Sequence, residues 1–117
     1  MTLIEKQQKF TYLISKFNLA LIDQGYGVSL GEGWRSPETC ELYAKDGRGI
    51  SNSLHIDRLA IDLILRKDGV LIKTYYDYLP AGLLWEAAST QDYVCAWGGR
   101  FLRQDVYHFS LAHNGRR

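Results

Sequence analysis

The amino-acid sequence predicts an α+β fold, in which helices flank a small antiparallel sheet. Segments with the apolar spacing of helices alternate with strand-like segments, and a turn signal joins two strand-like segments into a hairpin. Helices and hairpin strands in mixed order are typical of this fold class. Because the chain has 117 residues, of which 46% are hydrophobic, we expect residues 1–117 to form a single domain with its own core.

Three helices are predicted from apolar spacing and from residues that favour helix ends. In residues 4–24 the apolar residues recur at intervals of three and four, and Gly25 favours a stop. The Ser-Pro-Glu sequence at residues 36–38 is typical of a first helical turn, which predicts a second helix that ends near Lys45. Residues 80–88 have apolar residues at helical spacing and predict a third helix.

Strands are predicted where apolar or alternating segments lie between turn residues. Residues 28–32 predict a short strand, and residues 59–66 and 70–73 predict a hairpin around a Lys-Asp-Gly turn. The polar segment 46–53 predicts a loop. Residues 106–111 alternate between two sets of side chains, which predicts a half-buried strand.

Composition and charge exclude several classes of protein. Fourteen basic and thirteen acidic residues give a net charge of +1, which provides no long-range attraction to nucleic acid. The apolar windows are far shorter than the roughly 20 residues needed for membrane insertion. Residues 5–9 are polar where a secretory signal has its apolar core, so we expect cytoplasmic synthesis without a signal peptide. Cys40 and Cys95 have no CxxC spacing, which favours buried thiols in a reducing compartment.

Asp62 is the first residue that suggests chemistry. It lies within residues 59–65, where every neighbour along the predicted strand is apolar. A buried carboxylate without a partner is strongly destabilising. Asp62 is therefore exposed on the solvent face of its strand, ion-paired, hydrogen-bonded or bound to a cation.

Two of the three histidines lie where they can approach Asp62. His55 ends the polar loop, and a chain turn near residues 57–58 would bring it close to Asp62. His108 lies on the face of the last strand opposite the aromatic residues. Two imidazoles and a carboxylate are typical of a catalytic zinc site, and Asp105 is placed to act as a general base. The alternative is that these are ordinary core or surface histidines.

Four short motifs resemble a family of zinc peptidases. Residues 53–62 match the family motif SxHxxxxAxD, and residues 105–108 match its (Glu/Asp)xxH motif. The Gly-Trp-Arg-Ser segment at 33–36 and the Trp-Gly-Gly segment at 97–99 are similar to two further motifs, in the family's order. The family includes D-alanyl-D-alanine carboxypeptidases, vancomycin-resistance D,D-dipeptidases and phage endolysins that cleave L-alanyl-D-glutamate bonds.

This resemblance implies a fold, a metal and several side-chain roles. The implied fold is that of the hedgehog/DD-peptidase group. The implied zinc ligands are His55, Asp62 and His108. Asp105 is implied as the catalytic base, and Arg35 as the residue that stabilises the substrate's carbonyl oxygen while it gains negative charge. Ser53 is implied to help position the substrate or the metal ligands.

Three positions differ from the family pattern. Arg58 stands three residues after the first histidine, where the family usually has glycine. Cys40 stands where a glutamine is frequent, and a thiol cannot replace the hydrogen bonds of an amide. The implied base is an aspartate, Asp105, instead of the more common glutamate. These changes bear on the substrate and the rate more than on the metal.

The resemblance implies a zinc metallopeptidase of the phage endolysin type, which hydrolyses an amide bond next to a D-amino acid in peptidoglycan stem peptides. It would act on the bacterial cell wall after release from the cytoplasm. Two alternatives stay open: a zinc-stabilised binding module of the same fold without catalysis, and a metal-free phage structural protein with incidental histidines. Zinc content and the effect of replacing Asp105 distinguish the three.

Overall fold

The computed structural model describes residues 1–50 and 52–117, and within these ranges the chain forms three α-helices and five strands. None of the described helices has the length and apolar character needed to cross a membrane. The helices are α1 (Leu3–Asp23), α2 (Pro37–Lys45) and α3 (Tyr75–Glu86). The strands are β1 (Tyr26–Leu30), β2 (Ala60–Lys67), β3 (Val70–Leu71), β4 (Cys95–Trp97) and β5 (His108–Leu111).

Helix α1 confirms the helix predicted over residues 4–24, with a shift of one residue at each end. Thr2 caps its start, because the threonine hydroxyl accepts a hydrogen bond from the Glu5 backbone N–H at 3.1 Å. Gly25, with φ 93°, follows its end. The buried face has one residue at every third or fourth position and covers the sheet. These residues are Phe10, Leu13, Phe17 and Leu21.

Helix α2 lies where it was predicted, whereas α3 begins earlier. Ser36 accepts a hydrogen bond from the Thr39 backbone N–H at 3.1 Å, and α2 ends at Lys45. The start of α3 is capped by Thr74, so Pro80 lies inside the helix and not in its first turn. The predicted start at Pro80 is wrong because the Thr74 cap determines where the helix begins. Pro80 has no backbone N–H, so the interior of the helix lacks one hydrogen bond there.

The strands form one antiparallel sheet in the order β1-β2-β5-β4, which confirms the predicted α+β class. The first residues of β2 pair with β5, and its last residues form the predicted hairpin with β3. Asp68 and Gly69 have φ values of 52° and 78°, as a two-residue hairpin turn requires. The segment predicted as a loop over 46–53 is a loop in the residues that the structure describes, and Ser51 lies outside them.

Strand β5 differs from the half-buried strand that was predicted. All four of its residues are buried, because the face that carries His108 is also covered, by the rings of His55 and Phe101 at 5.4 and 5.2 Å. Strand β4 was not predicted from the sequence. Cys40 and Cys95 are buried and unpaired, as expected.

Aromatic side chains fill the core between the sheet and helices α1 and α3. The Trp85 ring contacts the rings of Phe10 and Phe17, with centroids 5.9 and 5.2 Å apart. The Trp85 Nε1–H donates to the carbonyls of Ala96 and Ser110, both at 3.1 Å. The core thus combines apolar packing with a hydrogen bond partner for its buried indole nitrogen.

Candidate metal centre

His55 lies in the turn that precedes β2 and is 2% exposed. Leu54, 1% exposed, anchors this turn in the core, and its carbonyl accepts a hydrogen bond from the Leu59 backbone N–H at 3.1 Å. The His55 Nδ1 lies 2.6 Å from the Gly33 carbonyl oxygen. Because that oxygen can only accept, Nδ1 carries the proton, which leaves the Nε2 lone pair of the neutral ring free to bind a metal.

Asp62 and His108 are opposite each other on neighbouring strands, in the antiparallel register of β2 and β5. The Asp62 Oδ1 lies 3.5 Å from the Nε2 of His55. The rings of His55 and His108 have centroids 5.4 Å apart. One ligand atom from each of the three residues lies within 4.8 Å of the others, so His55, Asp62 and His108 could hold a metal ion, and we call them the metal-binding group.

The metal-binding group contains acceptor atoms that lack donors. Asp62 Oδ1 and His108 Nε2 are buried and have no hydrogen-bond partner. Among the described residues, two other buried side-chain atoms share this state, in Asn18 and Ser110. Unpaired buried polar atoms are destabilising, and a cation between the carboxylate oxygen and the ring nitrogens would remove that cost. The donor set therefore fits a divalent metal that binds nitrogen and oxygen ligands.

Burial changes the ionisation of two groups at this site. Burial first, and then the proximity of His55, lowers the pKa of His108 to about 4. At neutral pH the His108 ring is thus uncharged, which is the form that binds metals. Burial also raises the pKa of the Asp105 carboxyl, and the negative charge of Asp62 adds to this effect.

Asp105 is positioned by a loop that closes on Gly98. The Gly98 carbonyl accepts hydrogen bonds from the backbone N–H groups of Phe101 at 3.1 Å and Asp105 at 2.9 Å. The Asp105 carbonyl in turn accepts from the His108 N–H at 3.2 Å. A Cβ at Gly98 would lie 2.1 Å from the Asp105 carbonyl oxygen, so glycine is required there. The sequence identified Gly98 only as part of a motif, because the contact joins residues across a folded loop.

Arg35 is held by backbone and side-chain contacts. Its backbone N–H donates to the His55 carbonyl at 3.2 Å, and its guanidinium is paired with the Glu32 carboxylate. The guanidinium also lies 4.9 Å from the centre of the Tyr43 ring. Burial alone would lower the pKa of Arg35, but the hydrogen bonds to Glu32 and Cys40 outweigh it and raise the pKa. Arg35 is therefore a fixed cation.

A cavity of about 480 Å³ adjoins the metal-binding group. Ser53 is 7% exposed, and its hydroxyl accepts a hydrogen bond from the His55 backbone N–H at 3.2 Å. Ser53 therefore supports the histidine turn and also borders the cavity. Five of the six residues predicted for the site line this cavity, and the sixth, Asp62, belongs to the metal-binding group. The five are Arg35, Ser53, His55, Asp105 and His108.

The same cavity contains arginines that the sequence did not assign to the site. Arg48, in the loop after α2, and Arg103, in the loop that closes on Gly98, are both exposed and both line the cavity. Arg117 lines it as well. Basic residues are spread along the chain and balanced by acidic ones, so no local signal in the sequence indicates that these arginines converge.

Two departures from the family pattern have a structural counterpart. Arg58 has φ 57°, the left-handed conformation that glycine adopts most easily. The backbone at this position therefore has the conformation that suits the family's glycine. Its guanidinium lies 5.0 Å from the centre of the Trp34 ring. The buried Cys40 thiol donates to the Ile50 carbonyl at 2.9 Å, and Arg35 Nη1 lies 3.9 Å from the sulfur. Cys40 thus links α2 to Arg35.

The fold has a counterpart among solved structures. It is similar to the structure of the L-Ala D-Glu endopeptidase ChiX from Serratia marcescens, with a TM-score of 0.62 and 24% sequence identity. The match covers 73% of this chain and 66% of the other, so this chain spans slightly less than two thirds of that protein's length. No protein-family model and no curated protein match the sequence. The likeness shows that this chain has the α+β fold of a protein described as an endopeptidase.

Proposed function

We propose that this chain is a zinc metallopeptidase that hydrolyses an amide bond next to a D-amino acid in peptidoglycan stem peptides, in the manner of phage endolysins acting on the bacterial cell wall. The observation that carries this proposal is the His55-Asp62-His108 group, with its unpaired buried acceptors. The fold shared with an L-Ala D-Glu endopeptidase supports the same substrate class. We further propose that residues 1–117 act as one catalytic domain.

His55, Asp62 and His108 are the proposed zinc ligands. Zinc bound by two imidazoles and one carboxylate supplies Lewis acidity and brings the pKa of water to about 7. The Gly33 carbonyl supports this role of His55, because it holds the proton on Nδ1 and keeps Nε2 available. The three side chains come from a turn and two strands, which fixes their orientation.

Asp105 is proposed to move the proton. Its carboxylate takes a proton from the attacking water while the water oxygen bonds to the carbonyl carbon of the amide. It then delivers the proton to the leaving nitrogen as the C–N bond breaks, which yields a carboxylic acid group and an amine. The loop closure on Gly98 supports this role, since it holds Asp105 at the cavity that His55 and His108 also line.

Arg35 is proposed to stabilise the negative charge that develops on the carbonyl oxygen. A cation that is fixed before the reaction stabilises the transition state more than the ground state. Its pairing with Glu32 and its contact with Tyr43 support this role, because they hold the guanidinium in one position. Ser53 is proposed to orient the substrate from the cavity wall and to steady the turn of His55.

The experiment measures amino groups released from purified sacculi by the zinc-loaded protein and by its Asp105→Ala variant. Zinc should stay at about one per chain, because Asp105 is not a ligand, while the rate should fall by about 10²–10⁴-fold. Asp92→Ala, at an exposed aspartate outside the cavity lining, is the matched control and should keep the wild-type rate. Mass spectrometry of the fragments then identifies the bond.

Two results would contradict the proposal. Zinc binding without any release by the wild-type protein indicates the non-catalytic binding module. Release that continues after Asp105→Ala removes Asp105 from the mechanism.

A further inference from the structure

The cavity is more basic than the rest of the protein. Its lining contains four arginines and one carboxylate, that of Asp105, whereas the whole chain has 14 basic and 13 acidic residues. A concave wall that carries mainly one sign of charge attracts ligands of the opposite sign. The four arginines are Arg35, Arg48, Arg103 and Arg117.

Two of these arginines come from the loops that border the cavity. The Arg103 guanidinium donates a hydrogen bond to the Gly47 carbonyl, which connects the loop after α2 with the loop that closes on Gly98. Arg48 lies beside Gly47 in the first of these loops, and its guanidinium is 4.5 Å from the centre of the Tyr43 ring. The two loops therefore bring Arg48 and Arg103 to the same side of the cavity.

Arg48 and Arg103 are free to bind a ligand. Arg48 is paired at 2.9 Å with Asp46, but both side chains are more than half exposed, and exposed ion pairs contribute little. Within the described part of the chain, Arg103 has a carbonyl partner and no carboxylate partner. Arg35, in contrast, is held by Glu32 and is already proposed to contact the carbonyl oxygen of the cleaved bond.

We propose, on the basis of the peptidase function above, that Arg48 and Arg103 form a subsite for a substrate carboxylate that lies away from the cleaved bond. They would thereby select acidic peptides. A guanidinium binds a carboxylate through two parallel hydrogen bonds, which gives both strength and orientation. The Tyr43 ring restricts the motion of Arg48, so less conformational entropy is lost on binding.

The test compares two synthetic peptides that differ in one group. Both are N-acetyl-L-Ala-D-Glu-L-Lys joined through the γ-carboxyl of D-Glu and amidated at the C-terminus; one has a free α-carboxylate on D-Glu and the other an α-carboxamide. Calorimetry with zinc-loaded Asp105→Ala protein measures binding without hydrolysis. The carboxylate peptide should bind about tenfold more tightly, as expected for a charged hydrogen bond.

Arginine variants identify the residues responsible. Arg48→Gln and Arg103→Gln, each in the Asp105→Ala background, should remove most of the preference for the carboxylate and leave binding of the carboxamide within about twofold. Arg66→Gln is the matched control, because Arg66 is exposed on β2 outside the cavity lining, and it should change neither value. Added salt should reduce the preference, since these charges are exposed.

The outcomes separate this subsite from the peptidase function. Equal binding of the two peptides, or a preference that survives both arginine substitutions, overturns the subsite even if the unmodified protein hydrolyses the peptides. A preference that depends on Arg48 and Arg103, in a protein that hydrolyses neither peptide nor sacculi, supports the subsite and rejects the peptidase.

Discussion

Strands β2 and β5 carry two regions of opposite character on adjacent residues. Leu63 and Phe109 belong to the aromatic core, whereas their sequence neighbours Asp62 and His108 belong to the metal-binding group. In the core, the Tyr78 hydroxyl donates to the Leu63 carbonyl at 2.8 Å and accepts from the Leu65 backbone N–H at 3.1 Å. In the metal-binding group, Asp62 Oδ1 and His108 Nε2 have no partner.

The two unpaired atoms of Asp62 and His108 face one possible ion position, whereas the unpaired oxygens of Asn18 and Ser110 lie outside that group. The core provides partners for its buried phenol and indole groups, including the Trp97 Nε1–H, which donates to the Val106 carbonyl at 2.8 Å. Polar atoms buried in native proteins are almost always paired in this way. A cation bound between Asp62 and the two histidines would give these acceptors the partners that they lack.

Removal of a proposed ligand should have the largest effect. His55→Ala or His108→Ala should abolish zinc binding and lower hydrolysis by more than about 100-fold. Replacing a residue that only orients a metal ligand costs up to about 100-fold, so loss of the ligand itself should cost more. His113→Ala is the control, because its Nδ1 lies 3.2 Å from Lys6 Nζ outside the group. Elemental analysis of the purified variants measures their zinc content. If both variants retained zinc, the metal-binding group would not differ from the core in binding a metal.

Two glycine substitutions, one beside the candidate site and one in the core, should differ in their effect on the rate of hydrolysis. Gly98→Ala would place a Cβ 2.1 Å from the Asp105 carbonyl oxygen, and Gly82→Ala would place one 2.3 Å from the Trp97 ring. Each should destabilise the fold by about 1–3 kcal/mol or more through overpacking. Only Gly98→Ala should also lower kcat, since it displaces Asp105. Denaturant titration and kinetics well below the unfolding transition check both values; equal kcat in the two variants would contradict the expectation.

Tyr78→Phe should affect stability without affecting the metal. The variant loses two buried hydrogen bonds, which should cost about 1–3 kcal/mol, while zinc affinity stays within about twofold. Burial raises the pKa of Tyr78 to about 12 from the ordinary value of 10.0. The folded state therefore keeps a proton that the unfolded state loses, so wild-type stability should fall between these pH values. Unfolding curves across this range should show a smaller decline for the variant.

Asp62→Asn should have the smallest effect on the stability of the metal-free protein, and in the opposite direction. The amide can donate to His55 Nε2, which lies 3.5 Å from Asp62 Oδ1 in the wild type, so the metal-free protein should gain up to about 1 kcal/mol. The stabilisation by added zinc should be largely lost, because a charged ligand is gone. Thermal unfolding with and without zinc measures both. A metal-free variant less stable than wild type would show that Asp62 is a structural residue.

Local features of the sequence predicted much of the fold. The apolar spacing before Gly25, the Ser36 cap and the Lys-Asp-Gly turn depend on nearby residues only, so α1, α2 and the hairpin were predicted nearly in place. Burial of the His108 face of β5 depends on His55 and Phe101, which are distant in sequence, and it was missed. The start of α3 was misplaced because Pro80 and Thr74 both suit a helix start, and the sequence does not show which one dominates.

The candidate site was predictable to a similar extent. Motif resemblance selected six residues, and the structure brings five of them to one cavity and three into one possible metal-binding group. Their catalytic roles stay predictions. The convergence of Arg48 and Arg103 and the closure of a loop on Gly98 could not be predicted, because both depend on loop conformations that no short-range pattern specifies.

The direct pairing of Asp62 with His108 limits how sequences like this one can diverge. Inserting or deleting a single residue in β2 or β5 would turn one of the two side chains to the other face of the sheet. The described residues of the loop between α2 and His55, 46–50 and 52–54, pair with no strand, so the length and charge of this loop can vary with less effect on the register. New substrate preferences are therefore expected to evolve through exchange of that loop on a constant pair of strands.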